Sequence, residues 1–424
     1  MKTKTAALLI CSLLFTIPEQ GITQEAQATL FPVFQVALEN NPNVKVAINS
    51  ILAAKGNFTQ SGLRLNPNAF IEIENFGGND NLSGFDSAEL TFGIEQEIEI
   101  AGKRSYRRDV ARYGLEITQQ KAFSNILVIL ANVHQSYVEF VISQERLSLA
   151  QRRMALSDKT HEAVKNRVSA AAASEIQHTK VDIEQKIAAI EKNKAIEGLI
   201  SARAQLESLL STSPDLITIN KAILSVPLNL PNKDELIAAL DYLPQLKMTK
   251  LKKLQAKSNV ELAKSFRIPN PTIGGGVRRF KESNNNAFIA TFSMPIPIFN
   301  RNQGDIARAQ AEYLIASSEI KSEYLALKEA AEKIYEKMIS ASSEIGSYRE
   351  FIIPSAQKAY NQATEGYKSG RFSFLELLDS QRTLYEIQES HLNSLLKFHQ
   401  AKAQVDFLLG VNKAQVKDIM SINN

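Results

Sequence analysis

The sequence predicts a mainly α protein with a β-barrel part, in which two internal repeats each contain a strand pair and a long antiparallel helical hairpin. Three observations predict this fold class. Long stretches with little or no proline carry apolar residues every seven positions, as packed helical rods do. Short runs of alternating polar and apolar residues occur in two pairs, as expected of strands. The same order of elements returns at an offset of about two hundred residues, which indicates an internal duplication.

Residues 1–28 are predicted to be a secretory signal peptide. Lys2 and Lys4 precede an apolar run, and Ala26-Gln27-Ala28 matches a small-residue cleavage site. The single cysteine, Cys11, lies inside the apolar run, so we expect no disulfide in a processed chain.

No later stretch is long and apolar enough to predict a transmembrane helix. The net charge of +4 is too small to indicate a nucleic-acid partner.

The first repeat, residues 29–212, begins with a helical pattern over residues 31–64 that an Asn-Pro turn ends. Two strand-like runs follow, residues 69–76 and 87–100. The second run has one apolar and one acidic face, which is the pattern of a strand between an apolar medium and water. The acidic face, predicted to line the barrel lumen, contains Glu89, Glu95, Glu97 and Glu99.

The first hairpin is predicted from a helix over residues 105–165, a turn within 166–174 and a return helix over 175–210. Its apolar residues at seven-residue spacing are Ile126, Val133, Phe140, Leu147 and Met154, followed on the return helix by Ile176, Ile183 and Ile190. A proline-containing linker near the barrel equator, residues 213–235, joins the repeats.

The second repeat, residues 236–411, is predicted to have strands at 272–280 and 287–298. A helix from residue 304 to about 365 follows, in which Pro354 predicts a kink, and a return helix ends near residue 409. Its heptad residues are Ile306, Tyr313, Ile320, Leu327, Ile334, Ala341 and Tyr348, then Leu377, Leu384, His391, Phe398 and Val405. This strict period predicts helices that supercoil around neighbouring helices. Residues 412–424 are a C-terminal tail.

Four strands cannot close a barrel, and open sheet edges are not tolerated in lipid. The strands therefore predict an oligomer whose subunits share one barrel, with apolar faces toward lipid and polar faces toward water. The alternative is a structural periplasmic coiled-coil protein whose strand pairs pack on a soluble core.

Residues suited to catalysis or cofactor binding do not group in the sequence. The five histidines are scattered, without metal-ligand spacing beside a carboxylate motif. No phosphate-binding glycine loop or nucleophile pattern is present. We expect no enzyme activity, no cofactor and no bound metal.

Two segments resemble a known family. Residues 367–384, beginning Tyr-Lys-Ser-Gly-Arg-Phe, and residues 296–304, Ile-Pro-Ile-Phe-Asn-Arg-Asn-Gln-Gly, are similar to the outer-membrane factor family of TolC-like outer membrane efflux proteins. Within it they resemble the CzcC-like branch for heavy-metal cation efflux. The resemblance spans essentially the whole mature chain. It implies a homotrimer in the bacterial outer membrane that extends into the periplasm as a passive efflux duct.

The resemblance also implies partners and a tip. The partners would be a periplasmic adaptor (membrane fusion) protein and an inner-membrane pump of the resistance-nodulation-division (RND) type. The residues that match the periplasmic tip and gate are Tyr367, Gly370, Arg371, Glu376 and Asp379. Glu376 and Asp379 share one helix face and would form stacked acidic rings in a trimer; ordinary solvated charge at a helix start is the alternative.

Divalent heavy-metal cations are the cargo that the branch indicates. A drug-efflux or type I secretion duct of the same fold remains the alternative within the class. The sequence leaves open the transported substrate, the particular pump and adaptor, the resting state of the duct and whether Arg371 takes part in gating.

Overall fold

The computed structural model describes residues 24–216, 221–227 and 230–410. The predicted signal peptide lies outside this part of the chain except for its last residues, which begin the first helix at Gln24. The predicted C-terminal tail and six residues of the linker, 217–220 and 228–229, also lie outside the described residues.

The helices and strands follow the predicted order twice. The elements are α1 Gln24–Asn40, α2 Pro42–Ser61, β1 Asn68–Glu74, β2 Glu89–Glu97, α3 Lys103–Ser169, α4 Glu175–Leu210, α5 Lys233–Ala239, α6 Pro244–Ser265, β3 Thr272–Phe280, β4 Asn285–Ser293, α7 Gln303–Ser347, α8 Ile353–Lys368 and α9 Phe374–Leu409. Helix, strand pair, long helix and return helix thus occur in both halves, which confirms the predicted fold class.

The predicted helix over residues 31–64 is divided at Asn41. The Asn41 side chain accepts a hydrogen bond from the Asn43 backbone N–H at 2.8 Å and so caps α2, whose first residue is Pro42. Proline is favoured at this position because its missing N–H would have no helical partner. Asn41 also donates to the Leu209 carbonyl at 2.7 Å, which fixes the break against the end of α4.

The four strands form one antiparallel sheet in the order β1-β2-β3-β4, so β1 and β4 are its open edges. Ile71, Phe92, Val277 and Phe288 lie in one cross-strand row, and all four side chains are exposed. The row defines an apolar sheet face that no described part of the chain covers. The opposite face carries most of the strand carboxylates together with Arg278.

Three predicted strands extend beyond the observed ones, and the first, β1, ends at Glu74 rather than residue 76. β4 ends at Ser293 rather than residue 298, because Pro295 and Pro297 have no N–H to donate to a ladder. β2 ends at Glu97 rather than residue 100. Beyond it the Ile100 N–H donates to the Asn270 side-chain oxygen at 3.3 Å instead of to a strand.

The main hydrophobic core lies in the helical region and draws on both repeats. Its fully buried side chains include Ile126, Val133 and Tyr137 of α3, with Leu206 of α4 and Phe398 of α9. The ends of α1, α2, α5 and α7 contribute further residues to the same cluster. A smaller cluster, formed by Val164, Val181, Phe374 and Leu378, lies near the ends of the two hairpins.

The apolar stripe predicted on the first return helix faces outward. Ile176, Ile183 and Ile190 are 54–69% exposed, whereas Val181 and Ala188 on the same helix are buried against α3. Leu314 and Ile315 of α7 are similarly exposed. Each subunit therefore presents uncovered apolar stripes along its rods as well as on its sheet.

Where the sequence predicts a kink before Pro354, the structure has a π-turn, Tyr348–Ile352, between α7 and α8. The Ile353 N–H donates to the Tyr348 carbonyl, five residues back, so the turn holds one extra residue just before the proline. The buried stripe shifts accordingly: Ala341 and Ile345 precede the turn, and Ala356 and Ala363 follow it one position late.

Among the described residues, one helix, α3, contains an 18-residue window that is apolar enough to cross a membrane by length and composition. The expectation that no such stretch follows the signal peptide is therefore wrong as far as length and composition are concerned. In the structure 67% of that window is buried, as in an ordinary core helix, which explains its apolar character.

Candidate functional site

The turn between α8 and α9 reverses the second hairpin within five residues, 369–373. Gly370 has φ +73°, a left-handed conformation that side chains with a Cβ adopt only at a cost. The Gly366 carbonyl accepts hydrogen bonds from the N–H groups of Arg371 and Phe372 at 2.8 and 3.1 Å. The Phe372 ring covers Gly366 so closely that a Cβ there would overlap it. The turn thus depends on two glycines, Gly370, which was predicted, and Gly366, which was not.

Ser373 and Glu376 form a capping box at the start of α9. The Ser373 N–H donates to the Glu376 carboxylate at 2.6 Å, and the Glu376 N–H donates to the Ser373 hydroxyl at 3.2 Å. The backbone hydrogen bond from Ser373 lowers the pKa of Glu376. Asp379 is exposed and makes no hydrogen bond or ion pair within the described chain. Glu376 therefore has a structural role at the helix start, and only Asp379 is uncommitted.

Tyr367 joins the two hairpins. Its ring packs against Phe374, with 5.6 Å between ring centroids, and the guanidinium of Arg167 lies 4.9 Å from the Tyr367 ring centroid. Arg167 belongs to the last turn of α3, in the first hairpin. The Tyr367 hydroxyl is buried and has no hydrogen-bond partner among the described residues. The two tips are held together by this cation–π contact and by the small apolar cluster beneath it.

Arg371 stays within its own turn. It is exposed, and its Nε donates to the Ser369 hydroxyl at 3.0 Å. The contact between the hairpins is made by Arg167 instead, which the sequence reasoning did not select. The 200-residue separation between Arg167 and Tyr367 leaves no local signal that could have predicted the pair.

Further from the tip, a charged layer connects three helices. Arg153 of α3 pairs with Glu184 of α4 at 3.7 Å and also with Glu191, and its guanidinium lies 5.6 Å from the Tyr385 ring of α9. Arg382 of α9 reaches the same Glu184 at 3.5 Å. This layer links α3, α4 and α9 where they approach the tip.

One arginine partly compensates the acidic face predicted for the barrel lumen. Arg278 of β3 pairs with Glu89 at 2.9 Å and with Glu74 at 2.6 Å, and its Nε donates to the buried Thr91 hydroxyl at 2.9 Å. The alternating pattern of the strand could have shown on which sheet face Arg278 lies. Its partners were not, because they depend on how β3 pairs with β2.

The other predicted lumen carboxylates differ in their surroundings. Glu99 lies beyond the end of β2 and forms an ion pair with Arg107 of α3. Glu97 accepts a hydrogen bond from the Asn270 amide at 2.7 Å. Of the four, Glu95 alone has no ion pair or hydrogen bond from its side chain to any described residue. The four carboxylates therefore differ in how far their neighbours compensate them, and the acidic lumen face stays a prediction.

The histidines are less scattered in space than in the sequence. His161 of α3 lies across the first hairpin from His178 and Asp182 of α4, and the His161 Nε2 to Asp182 Oδ1 distance is 2.7 Å. Sequence spacing could have paired His178 with Asp182, four residues apart on one helix face. It could not have added His161.

Comparisons with known proteins agree along nearly the whole chain. The outer membrane efflux protein family matches residues 33–212 and 237–411. The cobalt-zinc-cadmium resistance protein CzcC of Cupriavidus metallidurans is 27% identical, and the match covers 90% of both chains. The cation efflux system protein CusC of Escherichia coli O157:H7 is 22% identical, over 84% of this chain and 80% of the relative.

Solved structures share the fold. The outer membrane protein VceC of Vibrio cholerae superposes with a TM-score of 0.75 at 17% identity, covering 91% of this chain and 97% of its own. The CmeC outer membrane channel of Campylobacter jejuni gives a TM-score of 0.72 at 16% identity, covering 99% and 98%. These likenesses establish a TolC-like architecture.

Proposed function

The chain belongs to the outer membrane efflux protein family, and on that premise we propose that it is the duct through which divalent heavy-metal cations leave the cell. Its localisation and class follow from the family: an outer-membrane efflux channel that extends into the periplasm, and not an enzyme. The family implies trimeric assembly and work in tripartite efflux systems.

The observation that carries the choice of cargo is the match to metal-resistance proteins along the length of the chain. CzcC of Cupriavidus metallidurans and, over 71% of this chain, the nickel and cobalt resistance protein CnrC of the same organism are named for these cations. A duct selects little by itself, so cargo identity comes from the pump with which it is matched. The cargo proposed here therefore also implies a cation pump of the RND type and its adaptor as partners.

The assembly is supported by what one subunit leaves uncovered. The sheet has two open edges, β1 and β4, and an exposed apolar face. Open edges in lipid must be paired, so three copies placed edge to edge would close a barrel. The outward isoleucine stripe of α4 and the exposed Leu314 and Ile315 of α7 would then be covered by neighbouring rods. The alternative of a structural periplasmic coiled-coil protein gives the apolar sheet face no cover.

The gate, in this proposal, lies at the hairpin tips. Arg167 and Tyr367 hold the two hairpins of a subunit together, and Gly366 and Gly370 shape the turn that an adaptor would contact. Asp379 is the acidic residue available for a ring at the constriction, whereas Glu376 is held by Ser373. Opening requires the second hairpin to move away from the first, which breaks the contact between Arg167 and Tyr367.

Metal tolerance tests the proposed cargo. A Gram-negative host that lacks its own metal-efflux ducts would receive this chain together with its matched pump and adaptor. We expect tolerance to zinc, cobalt and cadmium to rise, and to fall back when this chain alone is omitted. Unchanged metal tolerance combined with restored drug tolerance or protein secretion would favour the alternative ducts of the same fold.

A further inference from the structure

We propose that His161, His178 and Asp182 form a binding site for a divalent transition-metal cation that bridges α3 and α4 near the tip of the first hairpin. The site goes beyond the proposed function, because a passive duct needs no metal site of its own. Whether it binds metal also does not depend on what the duct carries.

The three side chains converge from both helices of the hairpin. His161 Nε2 lies 2.7 Å from Asp182 Oδ1, and His178 Nδ1 lies 3.7 Å from Asp182 Oδ2. One ligand atom from each residue lies within 4.8 Å of the other two. A tetrahedral ion bound at about 2.0–2.1 Å to nitrogen and oxygen holds its ligand atoms roughly 3.3 Å apart. Small side-chain rotations are enough to reach that spacing.

The backbone beneath the site is well held. His178 and Asp182 are four residues apart on α4, so both project from the same helix face toward α3. Val164 and Val181, each 1% exposed, pack between the two helices in the apolar cluster beside the site. The side chains of His161 and His178 are themselves only 21% and 24% exposed. Ligands on helices fixed in this way are preorganised for an ion.

A fourth ligand is within reach. The Glu175 carboxylate lies 3.6 Å from His178 Nδ1 and is 77% exposed, so it can turn toward an ion or leave the position to water. Two imidazoles and one or two carboxylates suit Zn²⁺, Co²⁺, Ni²⁺ or Cu²⁺ better than Mg²⁺ or Ca²⁺, which prefer all-oxygen ligands. The site contains no thiolate, so Cu⁺ is not the expected ion.

The position gives the site a mechanical consequence. His161 precedes the end of α3 by eight residues, about 12 Å along the helix, and Arg167 lies between the site and the turn. An ion bound by both helices would staple the first hairpin, which is the support against which Tyr367 of the second hairpin packs.

The test uses the tag-free, full-length trimer in detergent, stripped with a chelator and titrated with Co²⁺ while its visible absorption is recorded. We expect one Co²⁺ per chain, displaced by Zn²⁺. His161→Gln, His178→Gln and Asp182→Asn should each weaken binding about tenfold or more, since even outer-shell changes cost that much at metal sites. Glu162→Gln is the matched control, because Glu162 adjoins His161 but is exposed and unpaired among the described residues.

A second measurement keeps the proposal falsifiable if a variant assembles poorly. Electron paramagnetic resonance of the Cu²⁺-loaded wild type should show two coordinated nitrogens. Absence of stoichiometric binding, or binding that all three substitutions leave intact, would overturn the site. Both readouts are independent of the metal-tolerance assay, so a failed metal site and a wrong cargo give different results.

Discussion

Single side chains decide how this subunit keeps its two tips together and how part of the charge on its sheet is compensated. The capping box of Ser373 and Glu376 could be predicted from its three-residue spacing, and Gly370 from its place in a tight turn. Arg167 on Tyr367 and Arg278 between two glutamates could not, because each contact joins residues of different repeats. Sequence patterns report neighbours along one element, whereas these contacts depend on the packing of several.

The first prediction concerns the contact between the tips. Arg167→Ala should raise the opening equilibrium about two- to fivefold per subunit, because an exposed cation–π contact contributes roughly 0.5–1 kcal/mol. The measurement is open probability in planar bilayers. Arg371→Ala is the control, since Arg371 bonds only to Ser369 of its own turn. A larger effect of the control than of Arg167→Ala would place the latch at Arg371.

The second prediction concerns two histidines buried side by side between α3 and α9, His134 and His399. Burial lowers the pKa of His399 to about 4 and holds the pKa of His134 well below its usual value; nearby Lys402 adds to both shifts. In the unfolded chain a histidine takes its proton near pH 6.5. The unfolded form therefore binds more protons between pH 6.5 and 4, and stability falls as the pH falls through that window.

For His399 alone the loss at pH 4 relative to pH 7 is about 3 kcal/mol. The apparent Tm of the trimer, measured at pH 4, 5 and 7, should drop accordingly. His399→Leu removes one of the two titrating groups and should make the dependence less steep, with His134 causing what remains. An equal drop in wild type and variant would mean that another group causes it.

Some helices and strands have the bounds that the sequence predicts, and others do not. The spans of α4 and β3 agree with the predicted ones, since their patterns run unbroken to a clear stop. The end of β4 and the break at Asn41 were missed, although the prolines that cause them are visible in the sequence. The outward stripe of α4 shows that a heptad identifies a packed face without saying whether the partner belongs to the same subunit.

At the sheet, the third prediction tests the role of Arg278 on the acidic face. Arg278→Ala removes the cation beside Glu74 and Glu89 and should shift the reversal potential in a salt gradient toward greater cation selectivity. Arg278→Lys keeps the charge and should shift it less. Arg279→Ala is the matched control, because Arg279 lies on the opposite face of the same strand. A shift equal to that of the control would show that the polar face does not line the ion path.

The fourth prediction concerns the π-turn between α7 and α8. Deleting Glu350 removes the extra residue of the turn, and Pro354→Ala removes the proline that follows it. The residues buried before and after the turn then stay on the same side of one continuous α-helix. Trimer stability should change little. Deleting Ala330 in the Pro354→Ala background is the control. It turns the rest of α7 by about 100° and takes Met338 and Ile345 out of the core, at about 1.5–3 kcal/mol each. Equal loss of trimer in both variants would contradict this account of the turn.

At the scale of the molecule, the architecture was predictable because duplication, strand pairs and rods all leave long-range patterns. The partners and the cargo were not, since a duct contains no substrate pocket to interpret. What the subunit leaves uncovered, an apolar sheet face with two open edges and apolar stripes along its rods, agrees with the family's trimeric assembly.

The central claim, an outer-membrane duct closed at its hairpin tips, is tested most directly by single-channel recording of the purified trimer in planar bilayers. The account predicts insertion of discrete channels that are mostly closed and that open more often when Arg167 is replaced by Ala. Failure of well-folded trimers to insert, or wide channels that stay open whatever the residue at position 167, would contradict it.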